Sequence, residues 1–549
     1  MKVKNLWWSL AAVITFSFAV LLYYGREIYF KAPPIPQKVT SASGSVLFTH
    51  NDIQEGKHIW QSIGGQELGS IWGHGAYVAP DWTADWLHRE ALTLLNMWAQ
   101  RDHQKKFDDL NEEQKAALQN RLTTLVKNNT VDAEGNLVLS DDRAQAISDV
   151  ANHYISLFGS DPEMHELREA YAMPANTIND PEKIKKMAHF FFWSSWAAAT
   201  RRPDDKVTYT NNWPPEKLVG NEPDSSLVIW TGVSVILLLF GIGILTYYYA
   251  AEEKHEFHES HLPVTDPFLN LTQTPSMKAT LKYFWVVTGL IVFQIIMGVI
   301  TAHYGVEGTG FYGFPLAKFL PYSLSRTWHI QLGLFWIATS WLATGLYIAP
   351  AISGHEPKFQ RLGVNFLFIS LLIIVVGSSI GEMLSIAQHL DSDTNFWFGH
   401  QGLEYVDLGR FWQIYLFIGL WLWLILVLRA IWPAVRQKGT DGRNLLILFL
   451  VSCTAIALFY GAGLMWGKNT NLAIVEYWRW WVVHLWVEGF FEVFATVVIA
   501  FLFVRMQILR SSFATVTVLF STIVFLFGGI LGTFHHLYFS GTPSGKDLY

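Results

Sequence analysis

Nine uninterrupted apolar runs constrain what this chain can fold into. They fall at about 6–24, 227–250, 283–303, 327–350, 363–388, 411–432, 444–466, 477–503 and 513–539. Each is long enough to cross roughly 30 Å of hydrocarbon as a helix. In lipid every backbone N–H and C=O has to be satisfied within its own segment, and runs of this length do so as helices. The sequence therefore predicts an all-α polytopic membrane protein, with the bilayer as its first partner. Composition agrees, since charged residues make up 15% of the chain against about 25% in soluble domains. The first run follows "MKVK" and has no small-residue cleavage site behind it, so it is expected to be an uncleaved anchor.

The stretch 25–226 between the first two runs is mostly polar. In it "PDWTADWLHREALTLLNMWAQ", "NEEQKAALQNRLTTLVKN" and "DDRAQAISDVANHYISLFG" carry the apolar spacing and capping residues of helices. "TRRPDDKVTYTNNWPPEKLVGNEP" is expected to be a proline-rich return linker. The organisation is thus an anchor (1–24), one helical extramembrane domain (25–226) and a helix bundle (227–549). Cationic residues mark one side of the membrane. Lys2 and Lys4 precede the first run. Lys254, Lys278 and Lys282 follow the second, Lys358 and Arg361 the fourth, Arg436, Lys438 and Arg443 the sixth, Arg505 and Arg510 the eighth. This bias predicts a cytoplasmic N-terminus and an extramembrane domain on the outer side. A net charge of −6 with no basic cluster argues against a nucleic-acid partner. The single cysteine, Cys453, excludes an intrachain disulfide, a CxxC metal site and a CxxCH haem attachment.

Ionisable groups inside apolar runs are costly and mark function. "HLWVEGFFE" places His484, Glu488 and Glu492 at i, i+4 and i+8, and "GTFHHLYFSG" adds His535 and His536. On the predicted topology these share a layer near the outer face with His303 and His329. Three imidazoles and a carboxylate form an N3O set for a first-row metal, the anionic oxygen favouring iron over copper. Any one of these histidines alone reads equally well as a satisfied core residue. His329, opening "HIQLGLFWIATSWLATGLY", has the placement of a b-type haem ligand, or of an ordinary interfacial histidine. The chain carries no c-type haem motif, no copper-type cysteines and no flavin or nicotinamide fingerprint, which leaves a lipid-soluble electron donor. "TAHYGVEGTGFYGFP" sets His303 and Glu307 at the outer end of the third run, where a hydroquinone could hydrogen-bond. A plain polar helix end is the other reading.

"HLWVEGFFE", "HH" some fifty residues on and "RTWH" upstream together resemble the nitric oxide reductase branch of the haem–copper oxidase superfamily. Oxygen-reducing relatives carry tyrosine where Glu488 stands. "GGQELGSIWGHGAYVAPDWTADWLHRE" is similar to the cytochrome c-like subunit of these reductases without its haem motif. That combination resembles the quinol-dependent single-chain type, the neisserial type in particular. The resemblance implies a haem–copper oxidase-like bundle, of which about nine of some fourteen spans are written here, and a haem-less cytochrome c-like outer domain. His484, His535 and His536 would bind non-haem iron, with Glu488 as a carboxylate ligand or close partner and Glu492 in the proton-handling shell. His329 would be an axial ligand of haem b, and haem b3 would face the iron. A quinol, ubiquinol or menaquinol, would bind at His303, Glu307 and Phe311. Calcium would be held by the Gly75 carbonyl, Tyr77 and Glu404. Two nitric oxide molecules, two protons and two electrons would give nitrous oxide and water. The protein would be a bacterial inner-membrane homodimer with residues 25–226 in the periplasm.

The family pattern continues through five more helices, which carry the proximal histidine of haem b3 and the second axial histidine of haem b. Here it ends at "GKDLY", so the resemblance implies a chain cut short and inactive as written. Two other readings remain: an oxygen-reducing haem–copper oxidase, and a polytopic transporter or sensor without redox metals.

Overall fold

The computed structural model describes residues 3–203, 205–223, 226–256, 264–437 and 442–540. Lys2, Lys438 and the "GKDLY" end lie outside the described residues, as does the side chain of Lys254. Among the described residues nine helices are long and apolar enough to span a membrane: Val3–Lys31, Val228–Ala251, Pro275–Glu307, Tyr322–Ser353, Gln360–Ile386, Arg410–Arg436, Arg443–Leu464, Leu472–Arg505 and Ser511–His536. These are spans one to nine below. The chain is a multi-pass, all-α membrane protein. Span one continues to Lys31, past the expected boundary at 24. Spans two and three bury only 11% of their apolar windows, whereas spans four, seven and nine bury more than half. The latter three are the interior of the bundle and the former two its most exposed helices.

Small residues set the closest approaches, as is usual where lipid offers no hydrophobic drive between helices. An added Cβ at Gly298 in span three would lie 2.7 Å from the His329 ring of span four, and one at Gly333 would lie 2.9 Å from Gln294.

The extramembrane domain is built on the helices His50–Ser62, Trp82–His103, Glu112–Lys127, Asp141–Phe158 and Pro181–Ala199. Their starts are capped as the sequence suggests. The Asp81 carboxylate accepts from Ala84 N–H, and Asn111 with Gln114 closes a capping box. The hub is Pro181–Ala199, buried on every side from Met187 onward. A helix apolar all round belongs in a core, and the apolar part of this one, 187–199, is too short to span lipid. A small sheet in the order β2-β1-β3 joins β1 (Lys38–Ser41), β2 (Val46–Thr49) and β3 (Leu137–Leu139). It is a departure from the purely helical domain expected, made of strands too short to show a period-two pattern. The segment 200–223 is no loose linker either. Thr208, Asn211 and Asn221 are buried, and Asn221 Nδ2 donates to the Ala198 and Pro214 carbonyls at 2.9 and 3.1 Å.

The domain rests on alternate loops of the bundle. Thr309 after span three bonds to Glu169, and Gln401 after span five to Gln61. Lys468 and Thr470 after span seven accept from Lys57, and Tyr538 after span nine accepts from Asn211. The N-terminus of span one therefore lies on the opposite side of the bundle from the domain.

Candidate metal centre and its surroundings

Span eight is α-helical at both ends and π-helical between Trp481 and Phe491. Such wide turns are rare and gather at functional sites. This one carries His484 and Glu488, whose Nδ1 and Oε2 are 2.6 Å apart. His484 Nε2 is 2.8 Å from the Gly529 carbonyl of span nine. The final turn of span nine, Thr533–His536, brings His535 Nε2 to 2.8 Å from His536 Nε2. One ligand nitrogen from each of His484, His535 and His536 lies within 4.8 Å of the others. Bonds of about 2.1 Å to a shared ion bring ligand atoms to within about 4.2 Å of one another, so the trio is gathered close to the spacing that one ion requires. His535 Nδ1 is buried and has no hydrogen-bond partner. Three imidazoles gathered at one point, two with nitrogens face to face, fit a metal better than they fit each other.

Glu488 and Glu492 are exposed and line a cleft of about 220 Å³ with Ser234, Leu238 and Phe525. The expected carboxylate face is thus present, and it opens between spans two, eight and nine. His536 stacks on Trp480 at 3.6 Å and 6°. Trp480 in turn touches His74 of the extramembrane domain, ring centroids 5.3 Å apart. His74 lies 3.3 Å from Glu476, which also receives Arg479 and Gln66. Trp480, His74, Glu476 and Arg479 went unnoticed in the sequence, because a tryptophan among tryptophans and an i, i+3 ion pair look structural.

The segment "GGQELG" plugs the domain into the bundle. Gln66 N–H donates to Gly402 O at 3.1 Å, and Gln66 Oε1 accepts from Glu404 N–H at 2.9 Å. The Glu67 carboxylate is fully buried against Arg326, 2.7 Å away. Arg326 also pairs with Glu404. Asp407 and Glu382 lie alongside, both fully buried, and neither carboxylate oxygen of Glu382 has a partner. Burial, then the Asp407 charge, holds the Glu67 carboxyl well above its ordinary range. Burial, then the Glu382 charge, does the same to Asp407. Glu67, Asp407 and Glu382 are a second acidic cluster that no motif announced.

Two of the three expected calcium donors are committed to partners within the protein. The Glu404 carboxylate is taken by Arg326, and the Tyr77 hydroxyl, on a largely exposed side chain, donates to Gly73 O at 3.0 Å. Gly75 keeps φ near 131° and is packed against the Gln66 carbonyl. These residues, as arranged, do not fit a shared cation.

His329 Nδ1 lies 2.9 Å from the Gln294 carbonyl. A carbonyl partner requires Nδ1 to carry the proton, which leaves Nε2 with a lone pair, the arrangement of a metal-ligating histidine. That fits an axial haem ligand. His303, Glu307 and Phe311 do come together. His303 Nε2 is 3.0 Å from Glu307 Oε2, and the Phe311 and Tyr312 rings sit 4.6 and 4.7 Å from the imidazole.

Comparison with known proteins divides the chain in two. Residues 36–215 match the family of NorB cytochrome c-like domains of nitric oxide reductase. Residues 278–547 match cytochrome c and quinol oxidase polypeptide I. The chain is also similar to the NorB polypeptide of the nitric oxide reductase of Stutzerimonas stutzeri, 22% identical over 269 residues, which are 48% of this chain and 52% of that protein. The chain thus spans about half the length of that curated relative. Taken together, the matches make the chain similar to the haem–copper oxidases over its bundle and to the NorB type of nitric oxide reductase over its extramembrane domain.

Proposed function

We propose that this chain carries the iron-binding and quinol-binding parts of a nitric oxide reductase. The observation that carries the reading is the gathering of His484, His535 and His536 near ligand distance, with Glu488 on His484. Non-haem iron held there would supply a redox-active position that accepts nitric oxide. A carboxylate at this place in lieu of a phenol favours nitric oxide over dioxygen as substrate, and iron over copper as metal. The Glu488 carboxylate orients the His484 ring, and Glu492 one turn on can hold a proton in the same cleft. Electrons would enter from ubiquinol or menaquinol at His303 and Glu307, where an imidazole and a carboxylate 3.0 Å apart can each take a proton from a hydroquinone. His329 would hold haem b, while haem b3 has no ligand assigned among these residues. The product would be nitrous oxide, the setting the bacterial inner membrane with the extramembrane domain in the periplasm, and the assembly a homodimer. Calcium is left out of this reading.

Anaerobic loading of the purified chain with ferrous iron, followed by nitric oxide titration, tests it. One iron per chain is expected, lost in His535→Ala and His536→Ala, with a nitrosyl signal from the loaded protein. Preferential copper uptake, or iron that survives both substitutions, would overturn the reading.

A further inference from the structure

The rings against His303 are carried by a short loop, and the bundle alone does not hold it. Thr309 N–H donates to Glu169 Oε2 at 2.9 Å, and Thr309 Oγ1 donates to Glu169 Oε1 at 2.5 Å. One carboxylate of the extramembrane domain thus takes both polar hydrogens of one loop residue, as charge-assisted bonds. Glu169 belongs to the last turn of the helix His165–Ala170. Gly308, at φ 74°, allows the approach, since a Cβ there would run into that carboxylate. Just beyond, Phe311 and Phe314 exchange two backbone bonds of 3.0 Å around Tyr312 and Gly313, both at positive φ. This is the tightest kind of hairpin turn. A tyrosine in left-handed backbone is strained, and such strain persists only where the surroundings hold the loop. The turn aims both rings at His303. Tyr312 remains 82% exposed and is the outer wall of the site.

We propose that Glu169 is a positioning residue for the quinol site: by clamping Thr309 it lets the extramembrane domain hold the aromatic loop over His303. This rests on the reading of His303 and Glu307 as that site. Glu169 itself touches no quinol. The proposal gives a domain without a haem attachment motif a part in substrate binding.

The test is calorimetric titration of the purified chain with decyl-ubiquinone, alongside His303→Ala, Glu169→Ala and Glu169→Gln. The unsubstituted chain is expected to bind saturably and His303→Ala to lose binding. Glu169→Ala should bind about tenfold more weakly, a step of one decade in Kd. Its ferrous-iron binding and melting temperature should be unchanged. Glu169→Gln, whose amide can still accept from the Thr309 N–H, should stay within about threefold of the unsubstituted chain. Unchanged affinity in Glu169→Ala, equal loss in Glu169→Gln, or a parallel loss of iron binding would each overturn the clamp while sparing the quinol reading. No saturable binding by the unsubstituted chain, or none that depends on His303, would overturn both.

Discussion

Glu488 and His484 are joined by a 2.6 Å contact, and a carboxylate of this kind fixes the orientation and basicity of a ligating imidazole. Glu488→Gln is expected to weaken ferrous-iron binding by about 10–100-fold, measured by equilibrium dialysis, with the fold intact by circular dichroism. A change smaller than twofold would mean that Glu488 neither ligates nor orients. Arg326 makes the opposite kind of prediction, about stability. It is the cation that answers both Glu67 and Glu404. Arg326→Met leaves the Glu404 carboxylate without its cation and takes a close polar neighbour from Glu67, so it should lower the thermal midpoint in detergent. The two residues differ in legibility. Glu488 stood out because a carboxylate inside an apolar run has no bland explanation. Glu67 did not, because in a glycine-rich polar segment nothing in the sequence says that the bundle will close over it.

Elements were more legible than their junctions. All nine spans follow from uninterrupted hydropathy, and three of the domain's helices from their apolar spacing and capping residues. The π-helical stretch of span eight was hidden, since eleven residues that are apolar on nearly every side show no period to distinguish one kind of turn from another. The close approach of Gly65 to Gly402 was hidden too. Gly402, at φ 66°, has the Cα of Gln61 2.5 Å from where a Cβ would stand. Gly402→Ala should therefore cost at least about 1–3 kcal/mol in backbone strain besides the clash. It should also make the linkage between domain and bundle more sensitive to limited proteolysis. An unaltered digestion pattern would count against the plug. Gly298→Val acts on a different contact, forcing the His329 ring off the wall of span three. If His329 ligates haem b, the reduced-minus-oxidised spectrum of Gly298→Val should lose amplitude. A full spectrum would remove His329 from that role.

For the molecule as a whole, the buried carboxyls tie docking to pH. Glu67 and Asp407 have ordinary values of 4.5 and 3.8 and are held well above them in the fold. In the window from those ordinary values up to the raised ones, the folded chain binds protons that the unfolded chain has released. Stability must then fall as pH rises through that window. Thermal midpoints should drop from mildly acidic to neutral pH, and the drop should be shallower in Asp407→Asn. Equal slopes in the two proteins would show that Asp407 does not keep its proton.

The seating of the extramembrane domain on alternate loops also sets an order of events during synthesis. Gln61 leaves the ribosome 340 residues before Gln401, the residue whose carbonyl it will meet. At about 5–20 residues per second that is some tens of seconds. Once the domain's own last residues have been made, and until Gln401 follows, the domain waits with Gln66 facing water, and the Glu67 carboxyl that will end up dry begins its life ionised. Arrival of the loop after the fifth span is therefore the moment at which the domain can complete its loss of solvent, and translation speed across residues 224–409 governs how long that face stays open to other partners.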